Sequence, residues 1–117
     1  MSKLLEEELV NLSGYKYRLW EFSASHLSLT LHGHNVKEST ESIHLHFAEV
    51  YYLQMPTNWT GDFTIGSDEE FIEIFSRAGL HGTPDIHKDA ISLFKTDTEF
   101  GAVYLLGALI SIERNAK

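Results

Sequence analysis

The sequence contains no cysteine. That excludes a disulfide framework, a thiol nucleophile and a zinc–thiolate site, and it suits a reducing compartment. Proline is almost as scarce: Pro56 and Pro84 are the only two, and each marks a break in regular structure. Basic residues are few, 9 against 17 acidic ones, for a formal net charge of −8. Such a charge opposes phosphate backbones and anionic lipid, so nucleic-acid and membrane-surface roles are set aside. Long apolar runs are missing too. The longest, Ala102 to Ile110, is far too short to span a bilayer. The N-terminal MSKLLEEELV has acids where a secretory signal needs an apolar run. Together these lacks predict a cytoplasmic protein. There is also no nucleophile elbow, phosphate loop, dinucleotide fingerprint or His-Glu-x-x-His motif.

What is present is a chain of 117 residues, the size of one domain, and no internal repeat or linker divides residues 1–117. The densest run of β-formers is Ser42 to Met55, SIHLHFAEVYYLQM. Ile43, Leu45 and Phe47 alternate with His44, His46 and Ala48, the period of a half-buried strand. The parity then slips, so either the strand becomes covered on both faces or a bulge near Ala48–Glu49 re-aims it and returns Glu49 to solvent. Without the bulge, Glu49 would be a buried carboxyl able to act as an acid or base. Tyr15 to Ala24 reads as a strand in which a bulge or a twist near Leu19–Trp20 gathers most of its large rings into one core. His26 to His34 is the next strand, with Leu27, Leu29 and Leu31 facing the core.

Thr57 to Gly61 reads as a turn, with Trp59 folded over the core edge, and Phe63 to Ile65 as a very short strand. Ser67-Asp-Glu-Glu70 is a capping box opening a helix that ends near Ala78, with Phe71, Ile72, Phe75 and Ala78 on its buried face. Gly79 suits the left-handed position after it. Ala90 to Lys95 and Gly101 to Glu113 read as a closing hairpin. Residues 3–13 read as a short helix ended by Gly14. The predicted fold is therefore α+β: a single antiparallel sheet of five or six strands, a short N-terminal helix and one covering helix at about residues 68–78. Leu29, Leu31, Leu45 and Phe47 should be buried together, with Phe75 nearby.

Seven histidines are present, and four fall in His-x-His pairs: His32 with His34, and His44 with His46. If Leu29, Leu31, Leu45 and Phe47 face the core, all four imidazoles share the other face of two adjacent strands. Imidazoles so grouped are ligands for zinc, copper, nickel or ferrous iron. The alternative is a solvated histidine-rich face or a subunit contact. His44-x-His46-x-x-Glu49 resembles part of the metal motif of cupins. The cupin spacing before the glutamate is longer, the glycine framing is absent and the strands are too few for that barrel, so no activity is carried over. Asp85-Ile-His87-Lys-Asp89 reads as a loop, since Gly82 and Pro84 precede it.

The stretch from Trp20 to Pro56, with its tryptophan–phenylalanine strand, hydrophobic hairpin, Phe-x-x-Val-x-Tyr strand and proline stop, resembles small bacterial proteins of unassigned role, some of them toxin-immunity-like; it has no diagnostic motif and assigns no family. With no catalytic constellation and no assigned catalytic residue or cofactor, the expected function is a small acidic, non-enzymatic protein-binding or inhibitory module. It should bind a protein partner or pair with itself as a homodimer. The alternative is a divalent-metal-binding protein or small metalloenzyme that uses His32, His34, His44 and His46. For these four the expectation is adventitious zinc or nickel.

Overall fold

The computed structural model describes Leu9, Leu12 and residues 14–37, 41–80 and 91–116. Its elements are β1 (Tyr15–Ser23), β2 (Ser28–Asn35), β3 (Glu41–Gln54), β4 (Asn58–Thr60), β5 (Thr64–Ile65), α1 (Asp68–Arg77), β6 (Ser92–Thr98) and β7 (Gly101–Ala116). All pairings are antiparallel, in one sheet of order β4-β1-β2-β3-β7-β6-β5. No described helix is long and apolar enough to cross a membrane.

This corrects the expected fold of five or six strands with two helices. Among the described residues the sheet has seven strands and is curled, and there is one helix. The extra strand is β4, which Pro56, Asn58 and Gly61 disguise as a turn. The expected N-terminal helix lies outside the described residues, apart from Leu9 and Leu12, which are buried.

The connection between β4 and β5 forces the curl. These strands are opposite edges of the sheet, yet only residues 61–63 join them. Seven flat strands would hold their edges about 29 Å apart. Four Cα steps reach about 14 Å at most. The sheet must therefore roll until its two edges approach. Phe63 sits in the link and is buried. Its ring centroid lies 5.0 Å from that of Trp59 on β4, 5.3 Å from Tyr17 on β1 and 6.3 Å from Phe94 on β6. One ring thus touches both halves of the rolled sheet. Gly61 passes so close over β6 that a Cβ there would stand 2.6 Å from Thr96 Oγ1.

Two apolar cores result. The inner one lies within the curl and contains Tyr17, Leu31, Leu45, Phe47, Phe63 and Phe94, among others. Leu29, Leu31, Leu45 and Phe47 are all buried in it, as their alternation predicts. Burial raises the Tyr17 phenol well above its ordinary range, and its hydroxyl donates to the Leu12 carbonyl at 3.4 Å. The outer core lies between α1 and the convex side of β6 and β7. Here Phe71, Ile74 and Phe75 meet Ile91, Leu93 and Leu106. Phe75 therefore belongs to the other side of the sheet from Phe47. Ile74, rather than Ile72, completes the buried helix face, and Ile72 is 47% exposed.

The helix begins as its sequence dictates. Ser67 Oγ accepts from the Glu70 amide at 3.2 Å, and Glu70 Oε1 accepts from the Ser67 amide at 2.9 Å. The other carboxylate oxygen of Glu70 accepts from Lys95 Nζ at 2.7 Å, tying the first turn to β6. Gly79 takes φ +75° and ends the helix, and the Leu80 amide donates back to the Phe75 carbonyl at 3.3 Å.

β3 serves both cores because it is bulged. Pairing with β7 shifts between Ala48 and Tyr52, and Glu49 adopts φ 51°. Glu49 is exposed, so the buried acid–base reading of this carboxyl loses its basis. Val50 turns into the inner core, while Tyr51 and Tyr52 pack on the helix side. Gly107 of β7 makes room for the bulge: a Cβ there would lie 3.2 Å from the Ala48 and Glu49 carbonyl oxygens.

Candidate binding face on the outer side of β1, β2 and β3

β2 alternates without interruption, so its geometry follows directly from its sequence. Leu29 and Leu31 point inward, while Thr30, His32 and His34 point outward. The register with β3 sets Thr30 opposite His46, His32 opposite His44 and His34 opposite Ser42. β1 adds Glu21, Arg18 and Lys16 to these three rows, and β7 places Glu113 opposite His44. The middle row therefore reads Arg18, His32, His44, Glu113 across four strands. It is basic at one end and acidic at the other.

The β1 bulge adds the feature that parity alone misplaces. Pairing with β2 shifts between Leu19 and Glu21, which leaves Trp20 as the extra residue. Rather than entering the core, Trp20 lies outside and is 55% exposed. Its ring centroid is 5.2 Å from that of His32 and 5.5 Å from that of His44. Arg18 Cζ stands 4.9 Å over the indole, a cation–π contact worth about 0.5–1 kcal/mol at an exposed site. Phe22 and Leu19 are also exposed, since β4 pairs with β1 only along Lys16 to Arg18.

The four histidines are placed unequally. The rings of His32 and His44 are 4.9 Å apart, and those of His44 and His46 are 6.3 Å apart. His46 is engaged through both nitrogens: Nδ1 lies 3.2 Å from Thr30 Oγ1 and Nε2 lies 3.3 Å from Glu113 Oε1. His34 sits one row farther along and is exposed. The structure thus brings His32 and His44 together, extends the line to His46 and leaves His34 apart. Among the described residues, no three His, Asp or Glu side chains are grouped so that they could hold one metal ion. Burial, and then the neighbouring His44, Arg18 and His34, hold the His32 pKa below its usual value. The shift favours the neutral imidazole, the form that can ligate.

His26 lies in the exposed turn between β1 and β2, away from the row. Asp85, His87 and Asp89 lie outside the described residues. Trp20 is the one member of the face that sequence reasoning placed elsewhere. A bulge near Leu19–Trp20 was legible, but the side to which it would turn the indole was not. Comparison of the chain with protein-family models, with curated proteins and with solved structures finds no match to any of them.

Proposed function

We propose that this chain is a small, acidic, non-enzymatic protein-binding module, of binding or inhibitory type, whose contact surface is the outer face of β1, β2 and β3. One observation carries the reading. The same sheet has its outer face covered by α1 along β6 and the first half of β7, whereas along β1 to β3 it carries a half-exposed tryptophan packed against two imidazoles, tilted to one and edge-on to the other. Tryptophan and arginine are among the residues that dominate protein contacts. The partner is another protein or a second copy of the chain in a homodimer. A chain without cysteine needs no oxidising compartment, which supports a cytoplasmic setting.

Affinity capture with paired variants tests this. Trp20→Ala should lose the proteins that the wild type retains, including a second copy. Ile72→Ala, on the exposed side of α1, should keep them. Equal retention by both variants contradicts the reading.

A further inference from the structure

We propose that His32 and His44 are half of a zinc site, and that the same two residues of a second copy complete it, with one ion lying between two chains. This rests on the binding role of the β1–β3 face and names its occupant.

The pair has the geometry of a half-site. His32 and His44 are directly opposed on β2 and β3. Opposed residues hold their Cβ atoms about 4.5–5.5 Å apart, and these two rings lie 4.9 Å apart. A small rotation of each ring lets one nitrogen from each approach an ion at the usual zinc–nitrogen distance of about 2.0–2.1 Å. Structural zinc takes four ligands, and this chain supplies two at this point. His46 is held by Thr30 and Glu113, His34 lies in the next row, and no described group of three converges. The missing two must come from elsewhere.

The charge pattern of the middle row points to a second copy. A twofold axis lying in the interface, along the strands and between β2 and β3, reverses the row. It sets Arg18, His32, His44 and Glu113 of one chain against Glu113, His44, His32 and Arg18 of the other. Both ends then meet opposite charges, and four imidazoles meet at the centre. An isologous contact requires this self-complementarity. Facing sheets pack about 10 Å apart, so an ion at the midplane stands about 5 Å from each backbone, within reach of an imidazole. Two chains of formal charge −8 repel each other, and a divalent cation at the contact offsets part of that repulsion. Zinc suits the site because it imposes no geometry through its d electrons and accepts imidazole readily.

The test uses the full, untagged chain, with its mass measured by sedimentation in EDTA and during addition of zinc chloride. The proposal expects the monomer mass in EDTA and a doubled mass with zinc. The titration should break at one zinc per two chains, with a matching change in Trp20 fluorescence. His44→Ala and His44→Gln should remain monomeric with zinc while keeping the wild-type circular dichroism; His34→Ala should behave as the wild type. Arg18→Glu should weaken the zinc dimer about tenfold, and adding Glu113→Arg should restore it. A zinc dimer that survives both His44 variants overturns the site, as does one zinc per monomeric chain. A chain that stays monomeric with zinc also overturns it. Equal dimerisation in EDTA and in zinc overturns the metal bridge but leaves the protein-binding face standing. Loss of all association in Trp20→Ala then locates that metal-free contact on the face.

Discussion

The two halves of the sheet treat their outer faces differently. Along β6 and the first half of β7, residues of both parities are buried: Phe94 and Leu105 enter the inner core, while Leu93 and Leu106 lie under α1. Along β2 and the first half of β3, one parity is buried and the other carries Thr30, His32, His44 and His46. A sheet covered on both sides is occupied in building the fold. A sheet covered on one side is free to present chemistry on the other. The bulge at Glu49 marks the boundary on β3, because beyond it Tyr51 and Tyr52 belong to the helix side. Structural and presenting surfaces thus meet within one strand.

The largest effect should come from the inner core, which both halves share. Phe47 is buried and meets Phe94 across the curl at 5.3 Å. Phe47→Ala should cost about 3–5 kcal/mol in chemical denaturation. A cost below about 1 kcal/mol, the scale of a surface change, would mean that the assignment of faces is inverted.

Next is the boundary itself. Gly107 lies against backbone atoms of the bulge, which cannot move as a side chain can. Gly107→Ala should destabilise by about 1–3 kcal/mol, the range for overpacking. It should also disturb amide resonances from Ala48 to Tyr52. An unchanged midpoint would show that the bulge adapts freely and does not divide the strand.

The smallest effect concerns the docking of α1. Hydrogen bonds from Lys95 and from the Ser67 backbone lower the Glu70 pKa to about 2. A carboxyl depressed in the folded state stabilises fully above its unfolded value of about 4.3, and that contribution fades as pH falls towards 2. The pair is about one-third exposed, so solvent screening limits it to roughly 0.2–1 kcal/mol. Glu70→Gln should flatten the acid limb of stability between about pH 4.5 and pH 2 by that amount. Identical pH profiles for variant and wild type would remove the ion pair from the account of helix docking.

Much of this arrangement can be read from residue order. The strict alternation of β2 and of the first half of β3 puts two histidines of each strand on the face opposite its core residues. The slip in parity after Phe47 places the bulge. Ser67 and Glu70 announce the helix, and Gly79 its end. The rest depends on contacts between distant residues. Asn58-Trp-Thr is a strand only because Lys16 to Arg18 lie beside it. The curl follows from a three-residue link between opposite edges, and no local pattern encodes which strands are edges. Trp20 is outside because the register shift leaves it unpaired, whereas composition alone groups it with core aromatics. The choice of Ile74 over Ile72 as the buried helix residue was set by where β6 and β7 meet α1.

The central claim is that the uncovered half of the sheet is where this protein makes contact. Side-chain NMR of the wild-type chain across a dilution series, with and without zinc, tests it most directly. The account predicts that concentration-dependent shifts gather on the Trp20 indole and on the His32 and His44 rings, with Ile72 and Phe100 unmoved. Concentration-dependent shifts centred on Ile72 or Phe100 would contradict it.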